Sequence, residues 1–275
     1  MSDLVIHFFD AGCGNMTLIL FPTGETYLYD CNVTDDNEDD VLAYLDTAMG
    51  SRSKIDAFIC SHRDCDHMRG LRTIHNRYPV GKVRDAGVEG TSCESTEYKD
   101  YMALRWEIGS AIIKARTYKT IGDATIRYMN AADDDLSDAN DQSVVMKVEY
   151  AGGAALLAGD TSFRPWQDCI LPYYSDEKLN ASILLAAHHG SLAFFDDPVD
   201  EKQYYTAHLR KIKPEMTLVS VGANVHDLPD DKALELYAKY SSGSNKGNKV
   251  YRTDEQGNMK LVLKQAGGWS LSKNQ

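Results

Sequence analysis

No apolar run in this chain approaches the ~20 residues that a membrane span requires. The opening residues Met1–Val5 carry neither a basic cluster nor a signal-peptide core. These absences predict a soluble, cytoplasmic protein with no membrane partner. The six cysteines (Cys13, Cys31, Cys60, Cys65, Cys93 and Cys169) are scattered and form no Cys-x-x-Cys pair. In a chain of this length they read as reduced, mostly buried thiols rather than a disulfide framework. Positive charge is also scarce: 29 Lys and Arg stand against 41 Asp and Glu, a net charge of −12. That balance argues against broad, sequence-independent binding to nucleic acid, which relies on cations neutralising phosphates. Bound metal or a local basic strip would offset it. The acid-rich runs at 35–40 and 133–135 read as solvated loops or helix starts.

Internal repeats, low-complexity tracts and interdomain linkers are absent as well. The 275 residues therefore suit one α/β domain spanning 1–275, with a sizeable core. Hydropathy patterning predicts a strand at 5–9, a glycine-rich turn at 10–15 and a hairpin from 16–21 and 26–29. A helix at 39–49, a strand at 55–60, a helix at 69–77 and a strand at 83–86 follow. Tyr98–Ile108 reads as helical, and the rest of 87–123 as polar and irregular. This stretch is expected to be an insertion over the active-site face, where substrate selectivity often resides. Further strands are predicted at 124–129, 143–150, 154–158, 182–187, 215–221, 249–252 and 259–263. Gly152-Gly153 joins two of them as a hairpin. Helices are predicted at 162–174, 198–211 and 230–240, and a flexible loop at 241–248.

Metal-ligand chemistry is gathered at strand ends. The buried strand 55–60 runs into Ser61-His62-Arg63-Asp64-Cys65-Asp66-His67, with two imidazoles and two carboxylates in six residues. Asp64 and Asp66 packed this closely would repel each other without a cation between them. Such a group suits one or two divalent cations; the bland alternative is a solvated turn that happens to hold two histidines. Two more apolar strands end the same way, one in Gly159-Asp160 and one in His188-His189-Gly190-Ser191. Sites in α/β sheets sit at the carboxyl ends of strands. Chance would have to place three such clusters in order.

Taken together, these segments resemble the metallo-β-lactamase superfamily, and in particular the hydrolase domain of ComEC-type DNA-uptake proteins. Phe9-Asp10-Ala11-Gly12-Cys13-Gly14-Asn15 resembles that group's Asp-Val-Gly-Gln-Gly-Asp turn, and Tyr27-Leu28-Tyr29-Asp30 its Leu-Ile-Asp strand end. His62 to His67 matches its His-x-Asp-x-Asp-His, and His188-His189-Gly190-Ser191 matches outright. Residues 140–160, 220–224 and 250–257 resemble its remaining segments. The chain departs from the wider superfamily's His-x-His-x-Asp-His at Asp64, and lacks a histidine near 140–143; both features recur in the ComEC-like group. It departs from that group at Asn15, where Asp is usual, and at Leu228, where Gly-His-Pro has His; His226 stands two positions away.

The resemblance implies an αββα sandwich, a dinuclear centre of Zn²⁺ or Mn²⁺ and hydrolysis by a metal-bound hydroxide. It assigns His62 and Asp64 to the first metal. Asp66, His67 and His189 go to the second, with Asp160 bridging both. Asp66 would also orient the hydroxide. His188 is left open between an outer support, a transition-state donor and simple packing. His226 is a candidate for holding the scissile group, against a plain surface role. Asp10 and Asp30 are expected to support the ligands, Ser191 to cap its turn, and His7, His75 and His208 to be structural.

Three functions follow as expectations. The first is a free-standing phosphodiesterase or nuclease acting on a nucleic acid or nucleotide-like phosphodiester. The second is a hydrolase of another ester, such as a phosphocholine ester, lactone or thioester. The third is a metal-stabilised binding module with a protein partner.

Overall fold

The computed structural model describes residues 2–91, 93–132, 136–196, 203–243 and 249–273. The acid run 133–135, most of the loop 241–248 and the start of the helix expected at 198–211 lie outside them.

In the first half of the chain, strands β1 (Leu4–Phe8), β2 (Thr17–Leu20), β3 (Thr26–Tyr29) and β4 (Cys31–Asn32) lead into helix α1 (Glu38–Met49). Strand β5 (Ala57–Ile59), helices α2 (Cys65–Met68) and α3 (Leu71–Arg77), and strand β6 (Val83–Asp85) follow. Helix α4 (Thr96–Glu107) and strands β7 (Ser110–Ile112), β8 (Thr117–Ile121) and β9 (Ala124–Tyr128) come next. The second half holds β10 (Met146–Tyr150), β11 (Gly153–Leu157), α5 (Asp176–Leu179), β12 (Ile183–Leu185), α6 (Ala207–Ile212) and β13 (Met216–Val219). It closes with α7 (Asp231–Tyr240), β14 (Val250–Arg252), α8 (Thr253–Gln256), β15 (Met259–Leu263) and β16 (Trp269–Lys273).

The strands form two sheets, ordered β16-β15-β1-β2-β3-β5-β6-β7 and β14-β13-β12-β11-β10-β9-β8. Each is antiparallel in one half and parallel in the other, from β3 to β7 and from β11 to β14. Three apolar cores separate four layers. One lies between the sheets, one joins the first sheet to α1, α3 and α4, and one joins the second sheet to α6 and α7. This is the αββα sandwich, and it follows from sheets that are buried on both faces. Strand β5 shows the logic: Ala57 and Ile59 enter the core between the sheets, while Phe58 and Cys60 face the helices. A strand buried on both sides must be apolar throughout, which is why 55–60 reads as a continuous run.

Several expected elements shift. Residues 87–123 are not irregular beyond α4, because β7 and β8 extend the outer edges of the two sheets. Their exposure hid them, since four of the five residues of β8 face solvent. Strand β16 was not expected; it is an edge strand whose Trp-Ser-Leu-Ser-Lys alternation carried the signal. The helix expected at 162–174 is shorter: helical backbone runs over 164–170, with Pro165 tolerated in the first turn and a π-helical turn, Trp166–Ile170, completing it. The strand expected at 182–187 stops at Leu185, where the backbone turns to present the histidine pair. The acid run 35–40 supplies the first turn of α1, Glu38, Asp39 and Asp40, where carboxylates suit the helix dipole.

All six cysteines are free thiols. No helix among the described residues is long and apolar enough to cross a membrane.

Candidate metal centre

Strands β3 and β5 of one sheet and β11, β12 and β13 of the other end at a common edge, and their following residues meet there. Asp30 follows β3, His62 to His67 follow β5, Asp160 follows β11, His188 and His189 follow β12, and Ser220 follows β13.

Asp160 is the hub. Its Oδ2 lies 3.2 Å from His67 Nε2, 3.6 Å from His189 Nε2, 3.8 Å from His188 Nε2 and 3.9 Å from His62 Nε2. Asp66 Oδ2 joins the group at 3.1 Å from His189 Nε2 and 3.7 Å from His67 Nε2. One ligand atom from each of Asp66, His67, Asp160 and His189 falls within a common 4.8 Å. His62 and Asp64 stand beside this quartet, with His62 Nε2 3.7 Å from Asp64 Oδ2.

The outer nitrogens of the histidines are held by other groups. His67 Nδ1 is 2.9 Å from Asp30 Oδ2, and the other Asp30 oxygen accepts from Ser61 N–H at 2.6 Å. His189 Nδ1 donates to the Ser220 carbonyl at 2.9 Å. His62 Nδ1 lies 3.0 Å from Ser61 Oγ and 3.3 Å from Ser143 Oγ. An Nδ1 that donates outward leaves Nε2 with a bare lone pair aimed at the centre, the arrangement that metal-ligating histidines adopt.

Bare nitrogens facing carboxylate oxygens at these distances require a positive charge between them. His67 Nε2 and Asp160 Oδ1 are buried and make no hydrogen bond. Burial opposes charge on His67, yet Asp160, Asp66 and Asp30 hold its pKa well above the usual value. Burial alone would likewise raise Asp160, but His67, His189 and His188 hold it well below the usual carboxylate range. His62 moves the other way, lowered by burial and by His67. Divalent cations fit this demand for positive charge, and an all-nitrogen-and-oxygen donor set suits them.

Local backbone serves the same end. His188 and His189 both adopt left-handed conformations, with φ of 48° and 52°. Gly190 follows at φ +86°, where an added Cβ would lie 2.6 Å from Pro229 Cβ. The His-His-Gly sequence therefore needs its glycine. Ser191 caps the next turn by accepting from Ala193 N–H at 3.2 Å.

Of the eight site residues expected from sequence, the structure brings together His62, Asp64, Asp66, His67, Asp160, His188 and His189. His226 is not brought in: it is exposed in the 224–229 turn, and among the described residues its ring has no contact with the cluster. Asp30 reaches His67, one of the candidate ligands, whereas Asp10 instead has its backbone tied to Asn258. His7 pairs with Tyr44, His75 accepts from Val80 N–H, and His208 sits among aromatic rings, as structural residues do. Ser61, Ser143, Ser220 and Thr91 were not expected to contribute. Ser61, Ser143 and Ser220 lie within the segments that carry the resemblance, but a serine beside a ligand carries no signal of its own.

The centre opens on a cavity of about 470 Å³ whose lining includes Asp160 and His188, with Asp138, Asp141, Arg164 and Asp196 around it. A larger hollow, of about 800 Å³ and lined by Met216, Tyr251 and Trp269 among others, lies away from this chemistry.

A family model described as the metallo-beta-lactamase superfamily matches residues 10–201. The chain belongs to this superfamily, whose members are generally hydrolytic. Among solved structures it is similar to the metallo-beta-lactamase fold protein YhfI from Bacillus subtilis, at 14% identity and a TM-score of 0.54, covering 98% of this chain and 100% of that one. It is similar to CmlA, a diiron β-hydroxylase from Streptomyces venezuelae, at 13% identity and a TM-score of 0.55, covering 96% of this chain and 54% of that one. It is also similar to a diphosphatase from the PhnP family, at 13% identity and a TM-score of 0.51, covering 96% of this chain and 100% of that one. At these identities the likeness is one of fold. No curated protein matches the chain.

Proposed function

We propose that this chain is a dinuclear metallo-hydrolase of the ComEC-like type that cleaves a phosphodiester. The observation that carries the reading is the convergence of four histidine Nε2 atoms on one Asp160 oxygen, within 3.2–3.9 Å. His62, Asp64 and Asp160 would hold one ion, and Asp66, His67, Asp160 and His189 the other. Zn²⁺ and Mn²⁺ both suit these donors. Bound ions of this kind supply Lewis acidity and water of lowered pKa.

The chain's own groups supply the rest. Asp66 reaches the centre with its side chain one-third exposed, so one carboxylate faces both the ligands and solvent. That position suits orienting a water for attack. His188 is also about one-third exposed and borders the cavity, where its imidazole can donate to an oxygen of the substrate. Arg164, the one guanidinium among the described lining residues, is offered to an anionic group. The fold likeness to a diphosphatase is in keeping with a phosphate-ester substrate.

The same lining favours a second reading. Among the described residues Asp138, Asp141 and Asp196 outnumber Arg164, which disfavours a polyanion and suits a small diester with a cationic substituent, such as a phosphocholine ester. A pure binding module has less support, because it has no need of a centre that opens on a cavity.

The test is a panel of substrates with Zn²⁺- or Mn²⁺-loaded protein: bis-p-nitrophenyl phosphate, single-stranded and duplex DNA, RNA, cyclic nucleotides and p-nitrophenyl phosphocholine. Phosphodiester cleavage is expected, and Asp66→Ala should lower it at least ~100-fold, about 2.7 kcal/mol of barrier, with the circular dichroism unchanged. Cleavage of p-nitrophenyl phosphocholine alone would replace a nucleotide-like substrate with the second reading, and no cleavage of any member of the panel would overturn the phosphodiester reading. Full activity in a folded Asp66→Ala protein would place the chemistry elsewhere.

A further inference from the structure

We propose that Thr91 is a positioning residue for the first metal and that the segment following β6 acts as a clamp on its ligand Asp64. This inference rests on the two-ion reading above. Asp64 is held by both of its oxygens: Oδ1 accepts from Thr91 N–H at 2.6 Å, and Oδ2 accepts from Thr91 Oγ1 at 2.7 Å. Thr91 lies outside the strand-end motifs, so this double hold on Asp64 comes from a separate loop. The grip fixes the carboxylate plane and leaves Oδ2 3.7 Å from His62 Nε2, facing the same space.

The approach of the clamp is built into the backbone. At Gly90 an added Cβ would lie 2.0 Å from the Arg63 carbonyl oxygen and 2.6 Å from Asp64 Oδ1. Only glycine lets this loop close on the metal motif. Two further ties hold the same surfaces together. Arg63, between the ligands His62 and Asp64, is buried and pairs with Asp85 at 3.0 Å. Asp85 also accepts from Tyr101 Oη at 2.7 Å and from Arg105 Nε at 2.7 Å, both on α4. Cys65 Sγ lies 3.3 Å from Ser95 Oγ, the residue that caps α4. The metal motif is thus bonded on three successive residues, Arg63, Asp64 and Cys65, to the stretch from Asp85 to Arg105.

The two halves of the centre are therefore unequal. Asp66, His67, Asp160 and His189 come from strand ends that the sandwich itself fixes. Asp64 depends on a loop outside the sandwich, so the first ion should be the weaker one and the one that Thr91 controls. Groups that orient a metal ligand in this way typically govern affinity by about 10–100-fold.

The experiment is a Zn²⁺ titration of metal-stripped protein against a chromogenic chelator, for wild type, Thr91→Val and Thr91→Ser. Thr91 is exposed, so valine carries no core penalty, and a thermal melt of each metal-free protein checks folding. Wild type should bind two ions. Thr91→Val should bind one ion as before and the other about 10–100-fold more weakly. Thr91→Ser, which keeps the hydroxyl, should restore the second ion, a rescue that a merely structural role would not give. Unchanged binding of both ions in Thr91→Val, or failure of serine to rescue, would overturn the clamp while leaving the two-ion centre standing. Binding of fewer than two ions by wild type would overturn the two-ion reading itself.

Discussion

Asp160 shows how much a single buried carboxylate can demand of its surroundings. It is 4% exposed, one oxygen has no hydrogen bond, and the other faces four imidazoles. Replacing it with alanine should reduce metal content, measured by elemental analysis after gel filtration, close to zero. His188→Ala should retain most of the metal, because His188 is the most exposed of the four histidines and lies outside the tight quartet. Equal loss in the two variants would show that the histidine pair divides its roles differently. Most of this centre was legible in the sequence, because ligands must be specific residue types and three strands deliver them in order. Asp64's partner Thr91 was not legible. Its role depends on where a polar loop closes, and a threonine in such a loop has no chemistry of its own to mark it.

At the scale of elements, the segment from β12 to α6 is the most exacting. The strand ends at Leu185 so that two histidines can take left-handed backbone, and Gly190 completes the turn at φ +86°. Gly190→Ala should destabilise the protein by more than ~1 kcal/mol, read from the urea midpoint, since alanine is strained at positive φ and its Cβ would meet Pro229. Near the end of the segment, His208 on α6 stacks on Phe194 at 4.0 Å and is ringed by Trp166, Phe195 and Tyr205. Its ring is within 2.7 Å of the Phe194 carbonyl and accepts from Leu209 N–H at 2.8 Å, so it is satisfied as a neutral imidazole. Burial pushes its pKa down from 6.5 to about 3. The unfolded chain then takes up this proton more readily than the folded one between pH 6.5 and 3. Stability is therefore complete above this window and is lost as pH falls through it. His208→Gln keeps a donor and an acceptor but does not titrate, so its unfolding midpoint should fall less steeply over that range than that of wild type. Parallel profiles would show that His208 contributes nothing to acid sensitivity. The sequence marked His208 as structural but not its aromatic cage, because Trp166, Phe194 and Phe195 are brought to it only by the folding of separate segments.

For the whole molecule, the sandwich explains why its sequence was so readable at the centre and so poor at the margins. Strands buried on both faces, such as β5, β11 and β12, must be apolar throughout and end abruptly, so their runs stand out. Edge strands β7, β8 and β16 are largely exposed and share the composition of loops, which is why two of them read as irregular and one was passed over. The two sheets meet with the parallel-strand ends at one edge, and the ligands converge there because of that geometry. If the proposed function holds, this edge binds two divalent ions joined through Asp160. Anomalous diffraction at the zinc edge, from crystals of Zn²⁺-loaded protein, tests it directly. Two peaks are expected flanking the Asp160 carboxylate, one among Asp66, His67 and His189 and one beside His62 and Asp64. An absence of peaks at this edge, or a single peak away from Asp160, would contradict it.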